Sequence, residues 1–195
     1  MIVVVIIIRR LLLNHQVRDR KEGYAVDKAC KELMILHRSG LFMLERIAYR
    51  ERVREAVERD PEGTMSTIID GASQNHCTIP HSGPGSPEFK DGIPQHLQGA
   101  LTHGLGLWIY RTYPTVKKGS NLTIHVLLDQ LRLWAVKHGR YPTTWYIQVD
   151  GGSENANKYL LATLEFLCAK RLVKTIILTR LPVGHTHEDI DACFG

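Results

Sequence analysis

From residue 65 to residue 180 the hydrophobic pattern changes period in a fixed order, and that order restricts what the chain can build. "MSTIID" (65–70) is a short β-branched run that stops at Asp70–Gly71. "LQGALTH" (97–103) and "LGLWIYRTY" (105–113) read as two more strands, a hairpin joined near Gly104. "SNLTIHVLLDQLRLWAVKHG" (120–139) places Leu127, Leu131 and Trp134 on one helical face, with Ser120 or Asn121 as the expected cap and Gly139 as the stop. "TTWYIQVD" (143–150) returns to strand, and the helix after it carries Leu160, Leu161, Leu164, Leu167 and Cys168, with Ser153 as its expected cap. "KTIILTR" (174–180) is a fifth strand. "HTHEDIDACFG" (185–195) begins a last helix, with Thr186 as cap and Asp189 three residues on. The expected order is three strands, then helix, strand, helix, strand, helix. A meander followed by such units gives an α/β fold, a mixed five-stranded sheet with helices on both faces. The crossover rule lets the fourth strand lie parallel beside the first.

Ahead of this pattern, residues 18–60 are charged and helical, broken at Ser39–Gly40. Leu41, Leu44, Ile47 and Ala48 supply an apolar stripe to the second helix, Glu55 and Arg59 an i,i+4 pair on its solvent side, and Asp60–Pro61 with Gly63 its end. The expected division is an N-terminal apolar segment and helical arm over 1–62, then a core over 63–195. Residues 78–95 are rich in Pro, Gly and Ser and read as loop. Residues 1–60 hold 13 Lys/Arg against 9 Asp/Glu, and residues 61–195 hold 12 against 11, so most of the net +5 lies in the arm. A basic arm on a near-neutral body permits contact with a polyanion without requiring it. The seven apolar residues Ile2 to Ile8 fall far short of the ~20 a membrane helix needs, and they read as a strand or as an artefact of where the chain starts. Four scattered cysteines, with no C-x-x-C, fit a reducing compartment better than a disulfide frame.

The acids carry the chemistry. Of the 11 in residues 61–195, six stand at or beside element ends: Asp70, Asp150, Glu154, Glu188, Asp189 and Asp191. In the last helix successive residues turn ~100°, so Glu188 and Asp191 share a face that His187 joins, while Asp189 points away. Ligands in open α/β sheets gather beyond the carboxyl ends of the strands, where Asp70 and Asp150 stand. Crowded carboxylates repel unless a cation neutralises them. A pair of Mg²⁺ or Mn²⁺ ions ~3.5–4 Å apart does so while catalysing phosphodiester displacement, and oxygen-only ligation suits such hard ions.

"IIDGASQN", "QVDGGSENANKY" and "LPVGHTHEDIDACFG" resemble an uncharacterised group of eukaryotic, transposon-derived proteins. The element order and acids are similar to the ribonuclease H-like superfamily, which includes DDE/D transposases and retroviral integrases. The 40 residues between Asp150 and Asp191, and the 37 between Asp150 and Glu188, are both near the integrase-like spacing. The resemblance implies a metal-dependent polynucleotidyl transferase or nuclease core. It makes Asp70 and Asp150 the first and second metal-binding acids, and the third either Asp191, as in the transposon-derived group, or Glu188, as in integrases. It also gives His185 a phosphate or carboxylate to orient, and Asn155 and Asn157 the strand-to-helix corner or the nucleic-acid backbone to hold. The implied cofactor is Mg²⁺ or Mn²⁺ and the implied partner is nucleic acid, DNA before RNA, in the nucleus and away from membranes. A homo-oligomer stays open. Gly195 follows Asp191 by only a turn or so, so the last helix is expected to be truncated, as in a fragmentary or degenerate copy.

Blander readings stand beside these. Asp70–Gly71 alone is more often a turn, and Asp189 reads as a first-turn charge. His185, His187, His76–Cys77 and His81 match no standard zinc spacing. Trp108, Trp134 and Trp145 read as core. The rival to an enzyme is a non-catalytic nucleic-acid-binding module that keeps the fold.

Overall fold

The computed structural model describes residues 3–7, 40, 43–72, 77–79, 93–113, 115–117, 119–149, 157–180 and 189–190. In chain order the elements are β1 (Val3–Ile7), α1 (residues 43–54, widening to a π-helical turn at Glu55–Arg59), β2 (Thr64–Gly71), β3 (Thr78–Ile79), β4 (Ile93–Pro94), β5 (His96–Thr102) and β6 (Gly106–Thr112). They continue with α2 (Ser120–His138), β7 (Thr144–Val149), α3 (Lys158–Ala169) and β8 (Thr175–Arg180). One sheet has the order β1-β8-β7-β2-β5-β6. β5 is antiparallel to β2 and to β6, whereas β7 is parallel to β2 and to β8. The five expected strands are thus all present, in the mixed arrangement expected of a ribonuclease H-like α/β fold. β1 adds a sixth, parallel to β8 at the edge. The stretch 78–95, read as loop, pairs its ends as the small β3–β4 ribbon, and residues 80–92 between them lie outside the described set.

Strand alternation assigns the two faces of the sheet. Met65, Ile69, Ala100, Trp145, Ile147, Ile176 and Leu178 join Val126, Leu127, Leu131 and Trp134 of α2 and Leu160, Leu164 and Leu167 of α3 in one core. Of the three tryptophans read as core, Trp134 and Trp145 are fully buried, while Trp108 is half-buried on the edge strand. Gly104 (φ 76°) turns the β5–β6 hairpin and Gly139 (φ 69°) closes α2, both in a backbone region that favours glycine. Two caps differ from expectation. α2 starts behind Gly119 with no side-chain cap, because neither Ser120 nor Asn121 sits at the capping position. α3 starts later than expected and is capped by Asn157, whose Oδ1 accepts from Tyr159 N (3.1 Å) and Leu160 N (3.0 Å); Ser153 lies outside the described residues.

Through this core runs a file of hydrogen bonds. Trp145 Nε1 donates to Thr67 Oγ1 (3.0 Å), and Thr102 Oγ1 donates to Gln130 Oε1 (2.7 Å). The 3.0 Å contact between the two threonine hydroxyls therefore has Thr67 as donor, since the Thr102 proton is already engaged. Gln130 Nε2 then donates to Tyr110 Oη (2.8 Å), and Tyr110 donates to Asp129 Oδ2 (2.8 Å). Every donor points the same way, from β7 through β2 and β5 to α2 and β6, and the file ends on a carboxylate that Arg132 also grips. Burial, more than the carboxylate beside it, pushes the Tyr110 phenol up to about 12, so it remains a donor throughout the neutral range.

α1 covers the opposite face, in a phase the apolar stripe did not foretell. Leu44 and Ile47 are exposed, while Tyr49 and Ala56 are buried against the sheet. Glu55, expected on the solvent side as partner of Arg59, accepts from Tyr146 Oη (2.9 Å), and Arg59 pairs with Glu51 instead (3.2 Å). The helix packs through amphipathic side chains whose stems bury and whose tips bond the sheet.

Gln130 is fully buried, so Gln130→Leu strands both the Thr102 donor and the Tyr110 acceptor. Urea denaturation is expected to show a loss of about 2–3 kcal/mol. Arg132→Ala, at the exposed end of the file, is expected to cost under about 1 kcal/mol.

Candidate active site

β2 and β7 are in register from Thr64↔Thr144 to Ile69↔Val149. The residue after Ile69 is Asp70 and the residue after Val149 is Asp150, so in sequence an acid follows the last paired residue on each side of this parallel seam. Asp70 is still in the ladder, opposite Gly99 of β5, and its Oδ1 accepts the N–H of Gly71 (2.7 Å). Because Met65, Thr67 and Ile69 face α2 and α3, the half-buried Asp70 shares the α1 face with Ser66 and Ile68. Asp150, Glu154, Asn155, His185, His187, Glu188 and Asp191 lie outside the described residues. Asn157 is the cap of α3, which makes it a fixed point of the strand-to-helix corner.

α1 and residues 189–190 meet on that face. Ile190 is buried and packs on Ile68, with Leu101 against the pair. Tyr49 Oη donates to Asp189 Oδ2 (3.0 Å) and lies 2.8 Å from His103 Nε2. The tyrosine proton is committed to the carboxylate, so His103 is the donor of the second bond and carries its proton on Nε2. Asp189, read from sequence as a first-turn charge, is therefore the anchor of its segment to α1 and the β5–β6 turn. Farther along, Arg52 Nη1 donates to Thr179 Oγ1 (3.0 Å), and its guanidinium lies over the Tyr146 ring (5.7 Å). Burial pulls the Arg52 guanidinium below its usual value, with Glu45 opposing, and burial together with Glu55 raises the Tyr146 phenol.

Gln148 occupies the middle of this floor. It is the register partner of Ile68 on one side and Thr179 on the other. It is 6% exposed, and its Nε2 has no hydrogen-bond partner among the described residues. Sequence reading missed Tyr49, His103 and Gln148. Gln148 alone left a signal, a polar residue inside the otherwise apolar strand "TWYIQV".

Among the described residues no three His, Cys, Asp or Glu side chains stand together as a metal cage. Asp70 offers carboxylate oxygen at a strand end, and an unpartnered buried amide donor lies two residues down on the neighbouring strand.

Fold and face together describe an α/β protein with a ribonuclease H-like sheet and an acid at the end of its central strand. The chain belongs to the family described as a domain of unknown function, DUF7869, whose model matches residues 87–195, over half its length. None of the curated proteins matches it. Similar solved structures include the Mos1 strand transfer complex (11% identity, 70% of this chain and 41% of that one, TM-score 0.41). A Mos1 transposase paired-end complex with left transposon end is similar at 12% identity (71% and 42%, TM-score 0.40). A mariner Mos1 paired end complex with Mg is similar at 10% (76% and 54%, TM-score 0.35). The chain spans about two fifths of the first two and about half of the third. No residue's role is taken from these likenesses.

Tyr49→Phe removes one hydroxyl from between His103 and Asp189. It is expected to cost about 1–2 kcal/mol and to speed hydrogen exchange at residues 189 and 190 while the amides of β7 stay protected. Burial holds the His103 imidazole below its usual value against the pull of Asp189. The unfolded chain then binds the extra proton, so this contribution is present above the ordinary histidine value and lost as pH falls through the folded one. His138, lowered by burial and then by Lys137, acts with the same sign. Urea midpoints should fall between about pH 7 and about pH 5, with a shallower slope in His103→Gln.

Proposed function

We propose that the chain is a metal-dependent polynucleotidyl transferase or nuclease core of transposase or integrase type, with DNA as its substrate. The observation that supports it most is the meeting of three segments. β2 and β7 are parallel neighbours, Asp70 stands next to the end of β2 and Asp150 is the residue after β7 in sequence, and residues 189–190 dock on the sheet face that Asp70 shares. Asp191 follows Ile190 at one Cα–Cα step of about 3.8 Å, and Ile190 rests on Ile68, two residues before Asp70.

In this reading Asp70, Asp150 and Asp191 hold a pair of Mg²⁺ or Mn²⁺ ions, with Glu188 beside them. When bound, such a pair activates the attacking water or hydroxyl and stabilises the leaving oxygen. The chain's own part is placement. Asp70 is held from a rigid strand by its bond to Gly71 N, Asn157 fixes the helix that follows Asp150, and the Tyr49–Asp189 bond holds the segment carrying the third acid. The arm of residues 1–62, with its excess of basic side chains, is assigned to DNA contact, and a nuclear site of action follows from that substrate.

The test is cleavage of labelled DNA and RNA panels in Mn²⁺. DNA cleavage is expected, with losses of about 10²–10⁴-fold in Asp70→Ala and Asp150→Ala. Equal activity in Asp150→Ala overturns the proposal. Nucleic-acid binding with no cleavage and no heat on Mn²⁺ titration identifies a binding module instead.

A further inference from the structure

We infer that Gln148 is a positioning residue for the acid at the end of β2, its Nε2 donating to the Asp70 carboxylate when that group takes a divalent cation. The inference rests on the metal-dependent reading above and adds a residue to it. A glutamine in the central, parallel part of a sheet loses its water, and its amide hydrogens must be repaid by acceptors. Here Nε2 has none among the described residues although the side chain is 94% buried, the complement of its 6% exposure. An orphaned donor of this kind calls for an explanation, and a second state of the molecule that uses it is one.

The surroundings say which acceptor that is. On one side stands Ile68, capped by Ile190, a purely apolar contact. On the other, Thr179 Oγ1 already accepts from Arg52 and donates to Ile147 O (3.2 Å). Of the described groups on this face, Asp189 is exposed and bound by Tyr49, Glu55 is taken by Tyr146, and Arg52 has nothing to accept with. Asp70 is the carboxylate on the adjacent strand, two residues beyond the register partner of Gln148. Such diagonal neighbours lie about 7–8 Å apart, within reach of a long side chain. Too deep to meet a substrate phosphate, the amide reaches the acids from beneath. A bond to an ionised carboxylate is charge-assisted, and groups that orient a metal-bound carboxylate are typically worth about 10–100-fold in metal affinity.

This predicts opposite signs in two measurements on one variant. Gln148→Met keeps the length and removes the donor. Without metal it should melt at the same temperature as the wild type or about 2–4 °C higher. In Mn²⁺ titration calorimetry its half-saturating concentration should rise about tenfold or more. In the wild-type protein, the Gln148 side-chain amide protons should move downfield as Mg²⁺ is added, a readout independent of how the variant folds. Asp70→Asn should bind neither ion. Unchanged Mn²⁺ affinity in Gln148→Met, or amide protons indifferent to Mg²⁺, overturns the inference while loss of binding in Asp70→Asn leaves the metal reading standing. A wild-type protein that behaves like Asp70→Asn overturns both.

Discussion

The parallel seam between β2 and β7 is the constraint on which the rest depends. Parallel strands get no help from a tight turn, and here residues 72 to 143 separate the two. Their register must be set by side chains. A slip of one residue would exchange the two faces of β7, sending Trp145, Ile147 and Val149 to the α1 side and Gln148 into the apolar core. The bond from Trp145 Nε1 to Thr67 opposes such a slip directly, because it joins diagonal neighbours that a one-residue slip would send to opposite faces. The threonine is in turn fixed by Thr102, and through it by Gln130 and Tyr110. A chain of buried polar groups is costly when broken at any point, so the file makes a wrong register expensive as well as the right one favourable.

The two layers on either side of the seam are built from different materials. α2 and α3 seal one face with aliphatic and tryptophan side chains. α1 meets the other through Tyr49, Arg52 and Glu55, whose tips bond His103, Thr179 and Tyr146. Apolar contact on that side shrinks to a small group around Ile68, Ile190 and Leu101. A layer of this composition is separable from the core, since its bonds are few and Arg52, Glu55 and Tyr146 are only half-buried. Asp70 stands on that side, where side chains can move without disturbing the fold.

This asymmetry explains what could be read in the sequence. The five core strands and both covering helices show because their apolar side chains recur at period 2 or 3.6 against a dense core, as in "LLDQLRLW" and "TWYIQV". The phase of α1 does not show, because hydrophobicity points to Leu44 and Ile47 while the packing uses a tyrosine, an arginine and a glutamate. α3 begins at Lys158, so its cap is Asn157, a residue the sequence pattern does not single out above Ser153. At the site, Asp70 was legible as an acid ending a β-branched run. Tyr49 and His103 were not, because a contact between residues 54 apart leaves no local pattern.

Gln148 belongs to a different category again, because its oddity is visible in sequence but its meaning is not. A polar residue between Ile147 and Val149 reads equally well as a strand turned to solvent. Only the sheet order, which places β7 between β2 and β8, removes the solvent from both of its flanks. Among the described residues, Arg52 of α1 bonds Thr179, one register partner of Gln148, and Ile190 covers its other partner, Ile68. The position is consequently defined by four segments at once, and an unpaired donor there cannot be relieved by a small local adjustment. Either it costs the fold stability for nothing, or it serves the Asp70 carboxylate on the neighbouring strand.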